Sequence, residues 1–133
     1  MIKLTVLGVT ETLAGLAAAQ IEIRDAAVTE LSAIADTMVS EMQAKVPVES
    51  GNLRQSIRQH PSRDGQGVVI IAGGTPATLK GSGDGFTFDE ALGIEFGTTK
   101  MPAQSFFFPV VNAHHDELEG RVKAATDDAI KGL

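Results

Sequence analysis

Apolar residues in the first third of the chain recur at helical spacing. Val28, Leu31, Ala35, Met38 and Met42 step by three and four, and Ile34 widens the stripe. That spacing puts them on one face of a helix. Glu30, Asp36, Glu41 and Lys45 lie mainly off that face. From Thr10 to Lys45 there is no proline, and Gly15 is the only glycine. Thr10 suits an N-cap. The pattern predicts a long amphipathic helix from about Thr10, either continuous or broken near Gln20–Arg24. It ends at Val46, because Pro47 disfavours helical geometry in the residue before it.

Other patterns frame this helix. Residues 2–8 alternate and carry Ile2, Thr5 and Val6, which predicts a short strand. Ser50-Gly51-Asn52 is turn chemistry. A strand is predicted from Ser56 to His60 and another from Gly67 to Gly73, joined as a hairpin through Pro61–Gln66. Glycines at 74, 81, 83 and 85 predict a flexible loop over about 74–86. A short helical turn through Ala91 and Leu92 is ended by Gly97. Ser105–Phe108 reads as a last strand, with Phe106 and Phe108 on one face and Phe107 on the other. Pro109 then opens a second amphipathic helix. Its stripe is Val111, His115, Leu118, Val122, Ala125 and Ala129, running to about Lys131. Its small residues cannot sustain a coiled coil alone, so it is expected to pack on the sheet.

This order predicts an α+β fold. A long N-terminal helix and a C-terminal helix pack on a small, mostly antiparallel sheet. No repeat or linker divides residues 1–133, so one domain is expected.

Composition narrows the function classes. The 133 residues suffice for a real core. There is no cysteine, which excludes disulfides, thiolate chemistry and cysteine-bound zinc. Six phenylalanines supply all the aromatic bulk. Seventeen acidic and eleven basic residues give a net charge of −6, and no basic run occurs. Tight nucleic-acid binding is therefore not expected. The N-terminal stretch lacks a compact apolar core before a cleavage site, so it reads as mature sequence. No apolar run approaches the roughly 20 residues of a membrane span. Folding in the host cytoplasm is expected.

Candidate chemistry is thin. His114-His115-Asp116-Glu117 has the composition of a metal site. Adjacent helical residues point about 100° apart, so both histidines do not serve one ion easily. His115 and Glu119 are one turn apart, but a zinc site takes about four ligands. His115 also lies in the apolar stripe, which explains it by partial burial. Glu95, between Ile94 and Phe96, suggests a general base with a raised pKa. It has no nearby nucleophile, and a structural bond to Arg54 or Lys100 accounts for it better. The glycine-rich stretches match no phosphate-binding motif. Arg54 and Arg58, one helical turn apart, suit acidic groups on a partner or a solvated face. No catalytic, metal-ligating or cofactor-binding residue is expected.

Two segments carry a resemblance. Pro47, Val48, Gly51, Leu53, Ser56 and Ile57 follow the first long helix at fixed spacing, with Arg54 as the basic position. Glu95, Phe96, Gly97 and Thr98 then precede Met101, Pro102, Ala103, Phe106 and Pro109. The pair, in this order, resembles the signatures of small head–tail joining proteins (neck or tail-completion proteins) of tailed bacteriophages and prophages. The element order is similar as well. The family usually has proline where Ser105 stands. It often has Tyr-Ala where Glu90-Ala91 stands, and Phe86 or Phe88 supplies the aromatic here.

The resemblance implies a structural virion protein that joins or completes the tail, and not an enzyme. It implies a ring built by self-association, with the portal-side connector and tail-tube proteins as partners. Location would be the host cytoplasm during assembly, then the head–tail junction. DNA would pass through an acidic lumen without adhering. The implied motif and interface residues are Pro47, Gly51, Leu53, Arg54, Ser56, Ile57, Glu95, Phe96, Gly97, Thr98, Phe106, Phe107 and Pro109. The alternatives are a small metal-dependent hydrolase using Glu95, His115 and Glu119, or a non-viral adaptor of the same fold.

Overall fold

A computed structural model describes residues 1–6, 20–49, 51–81, 83 and 85–132. Strand β1 (Ile2–Val6) leads into helix α1 (Gln20–Lys45). Short helix α2 (Asn52–Ser56) is followed by β2 (Arg58–Pro61) and β3 (Val68–Ala72). A 3₁₀ turn (Pro76–Thr78) precedes β4 (Leu79–Gly81) and β5 (Thr87–Asp89). Helices α3 (Glu90–Phe96) and α4 (Phe108–Lys131) follow. The fold is α+β, with α1 and α4 forming a helical layer on a small antiparallel sheet.

The main sheet has the order β1-β3-β2, and both pairings are antiparallel. The β2–β3 hairpin turns through Ser62–Gln66, where the Asp64 carboxylate accepts from Ser62 Oγ and the Gln66 amide. Those two bonds, the hydroxyl's first, hold the Asp64 pKa below the usual carboxylate range. A second, two-stranded sheet pairs β4 with β5.

Helix α1 is central. It packs against β2 and β3 and along α4. Its buried stripe starts earlier than Val28: Ile23, Ala27, Leu31, Ile34, Ala35, Met38 and Met42 are all enclosed, and Val28 sits half-buried at the edge. Packing against both requires a wider apolar face than a surface helix needs. The helix runs unbroken from Gln20 and stops at Lys45, one residue before the expected end. The expected start at Thr10 lies outside the described residues.

Three expectations are corrected. Asn52–Ser56 is helical, so the strand expected from Ser56 begins at Arg58. Gly51, with φ +79°, opens that helix. Residues expected as a loop over 74–86 include the 3₁₀ turn and β4, which pairs Leu79 with Asp89 and Lys80 with Phe88. A capping box between Thr75 and Thr78 fixes the turn. Ser105–Phe108 is not a strand, because a side chain claims its amides, as described below.

The core supports a direct test. Met42→Ala, fully buried in the core, is expected to lower unfolding free energy by about 2–5 kcal/mol. Ile21→Ala, on the exposed side of the same helix, is expected to stay within about 0.5 kcal/mol. Urea unfolding followed by circular dichroism measures both.

Candidate interaction surface

Glu95 organises the second motif. Its side chain is buried at the end of α3. Oε2 accepts from the Phe106 and Phe107 amides at 2.8 and 2.9 Å, and Oε1 accepts from the Phe108 amide at 2.9 Å. These amides open α4 and lack intrahelical acceptors. The carboxylate also meets the positive end of the α4 dipole. Neither Arg54 nor Lys100 is its partner, which corrects the sequence expectation.

The spacing of the motif follows from that reach. Gly97 ends α3 with φ +79° and ψ 170°, a backbone region that only glycine occupies readily. A Cβ there would lie 2.8 Å from the Ala103 nitrogen. Thr98 and Met101 then close a tight turn, with Thr98 N donating to Met101 O at 2.8 Å. Gln104 N donates to Ile94 O, and Ser105 Oγ donates to Glu95 O, at 2.8 and 2.7 Å. Ser105 adds a bond of its own to this clamp.

The clamp decides where the three phenylalanines go. Phe106 and Phe107 are both fully buried, at 6.3 Å between ring centroids and nearly perpendicular. Phe108 is turned outward. The expected split of Phe106 and Phe108 against Phe107 fails because the segment is a helix start and not a strand. Phe107 belongs to the core, and Phe108 is the surface aromatic.

Phe108 does not stand alone. Its ring lies 6.1 Å from that of Phe96, which is 63% exposed. Leu92 is one helical turn before Phe96 on α3 and is exposed too. Phe88, on β5, packs over Gly93 and is partly exposed. Phe88 also lines a cavity of about 340 Å³. It joins the two motif segments: Glu49 lines it from the first, and Gly93, Ile94, Thr98 and Met101 from the second. Lys80 and Glu90 reach it as an ion pair at 3.4 Å. The recess is mixed apolar and charged, with Phe88 as the aromatic in its wall.

The first motif is anchored in the core. Leu53 and Ile57 are core residues. Ser56 Oγ donates to Leu53 O at 2.6 Å and accepts from Gly73 N at 2.8 Å. Pro47 is half-buried after α1, and Arg54 is exposed. Arg58 lies in β2, not a helical turn beyond Arg54, and donates to Ser56 O and Gly73 O. Asp89 completes the frame. It caps α3 by accepting from Ala91 N at 3.0 Å, accepts from Gly74 N at 2.7 Å, and faces the Met1 ammonium at 3.4 Å. Sequence reasoning passed over Asp89. An aspartate directly before a helical stretch is the signal that could have found it.

The histidine pair behaves differently from expectation. His115 is 66% exposed, near Asp116 and Glu119, so partial burial does not explain it. His114 is the enclosed one, 12% exposed between α4 and α1. Its Nε2 lies 2.9 Å from Glu41 and its Nδ1 2.9 Å from Glu117. Arg121 continues the seam, donating to Glu30 at 2.6 Å and to Glu117 at 3.2 Å. Among the described residues, no group of three His, Cys, Asp or Glu side chains is placed to hold a metal ion.

Comparison with protein-family models, curated proteins and solved structures finds no match to this chain.

Two predictions arise from these contacts. Glu95→Gln keeps the shape but leaves one acceptor oxygen for three amides. It is expected to cost about 2–3 kcal/mol in urea unfolding. For His114, both ring nitrogens face carboxylates, and both donate only in the imidazolium form. The Glu41 hydrogen bond chiefly raises the His114 pKa above its ordinary 6.5, with Glu117 adding to it and burial opposing it. A raised folded pKa means the stabilisation is complete below 6.5 and is lost as pH climbs through the raised value. The melting-temperature difference between wild type and His114→Gln should therefore be largest near pH 5.5 and shrink towards pH 8.5, as read by thermal scans across pH.

Proposed function

We propose that the protein is a structural virion protein that joins or completes the tail of a bacteriophage at the head–tail interface, acting as an oligomeric ring. The observation that carries this reading is the exposed Phe96–Phe108 pair, held in place by the buried Glu95 clamp of the second motif. Large aromatics grouped on a surface mark contact with another protein. The motif's polar side chains support the same reading. Ser56 and Glu95 bond backbone groups, so they fix a shape that a neighbour recognises.

The partners in this reading are further copies of the chain, the portal-side connector and tail-tube proteins. A ring forms when one surface meets a different surface of the next copy and the rotation closes. The −6 charge suits a lumen through which DNA slides without adhering. The protein would act first in the host cytoplasm and then in the particle. Among the described residues no helix is long and apolar enough to cross a membrane. No catalytic role is assigned to any residue.

Particle morphogenesis tests the proposal. Phe96→Ser combined with Phe108→Ser alters exposed positions and is expected to leave the fold within about 1 kcal/mol of wild type. Electron microscopy of particles made with this variant should show filled heads beside separate, finished-looking tails. Particles that join normally, both with the variant and with the protein removed, would overturn the joining role.

A further inference from the structure

The sheet's outer face, remote in sequence from the Phe96–Phe108 pair, carries a different chemistry. Strand alternation divides β3: Val68, Ile70 and Ala72 belong to the helix-facing core, while Val69 and Ile71 point the other way. On that outer side Lys3 and Arg58 flank Ile71, and Thr5 and His60 flank Val69. No carboxylate occurs in β1, β2 or β3. The two long helices are acidic on balance, with Glu30, Glu41, Asp116, Glu119, Asp127 and Asp128 among acids that outnumber Arg24, Lys45, Arg121, Lys123 and Lys131. An acidic chain has thus gathered cations on one face of its sheet.

A shallow cavity of about 410 Å³ opens there. Lys3 and Thr5 line it from β1, His60 from β2, and Ser62, Arg63 and Asp64 from the hairpin turn, with Val69 between the strands. Lys3 and Arg63 have no carboxylate within ion-pair distance among the described residues, whereas Lys80 and Arg121 do. His60 Nδ1 lies 2.9 Å from the Pro61 carbonyl, which can only accept, so Nδ1 carries the proton and Nε2 is left for another partner. The Asp64 carboxylate is engaged within its own turn by Ser62 and Gln66. Arg58, fixed on backbone carbonyls beside Lys3 in register, adds a stationary positive charge.

We propose that this cavity binds a phosphate-class oxyanion, with Lys3 and Arg63 as its charged donors, His60 donating from Nε2 in its imidazolium form, and the Thr5 hydroxyl as a supplementary donor. A planar carboxylate is satisfied by one guanidinium fork. Donors arriving from two strands and a turn instead suit a tetrahedral group with oxygens in several directions. The volume leaves room for a body beyond one phosphate, which points to a diphosphate or a small phosphate ester. The site does not depend on the joining role.

The test is an amide NMR titration of the ¹⁵N-labelled full chain at constant ionic strength. Inorganic phosphate, pyrophosphate and acetate are added separately. Saturable shifts are expected at the Lys3, Thr5, His60 and Arg63 amides, strongest with pyrophosphate and weakest with acetate. Lys3→Gln and Arg63→Gln should each weaken phosphate binding about tenfold. Lys123→Gln, exposed on α4, should leave it unchanged, and unaltered spectra elsewhere would show that the exposed-residue variants fold. Shifts that do not saturate, that acetate reproduces, or that survive Arg63→Gln would overturn the proposal. So would shifts that follow protein concentration instead of phosphate, since these report a second copy's acidic helices on this face.

Discussion

One buried carboxylate holds the second half of this molecule together. An ionised side chain in an apolar core is costly unless its oxygens are hydrogen-bonded. The first amides of a helix are costly to bury for the converse reason. Glu95 and the start of α4 remove each other's penalty. Three amides meet two oxygens between phenylalanines that water does not reach. Because the contact is short and directional, it sets the position of α4 relative to α3. Phe106 and Phe107 then enter the core, and Phe96 and Phe108 are left outside.

The same device recurs at lower stakes. Asp89 gathers the Gly74 amide and the first turn of α3. Ser56 ties α2 to the end of β3 through the Gly73 amide. In each case a buried polar atom on one segment completes the backbone of another. The small sheet and short helices have little apolar area of their own, so these bonds define how they meet. The long helices rely on bulk packing instead, with a charged seam from Glu30 to Glu41 along their outer edge.

Periodicity made the long elements legible. The α1 stripe, the β2–β3 hairpin and the start of α4 at Pro109 are written in local spacing and turn chemistry. The structure shows them within a few residues of expectation. Failures came where a distant group decided the outcome. Ser105-Phe-Phe-Phe has strand-like composition, and only Glu95, ten residues upstream, converts it to a helix start. Adjacent histidines 114 and 115 both fit a stripe that steps by three and four, and the acid on α1 selects His114. The β4 strand was hidden by its glycines, since its partner strand supplies the order. In the candidate surface, Phe96 was legible from the motif. Phe108 was not, because its exposure follows from the clamp and not from alternation.

The seam between the two long helices also constrains how the chain is born. Arg121 meets Glu30 across 91 positions of sequence. At ribosomal speeds of about 5–20 residues per second, that separation is on the order of ten seconds of synthesis. During that interval α1 has no α4 beside it, and part of its apolar face is uncovered. A cell expressing this protein therefore handles a sticky nascent intermediate, which makes chaperone capture and translation rate controls on its yield.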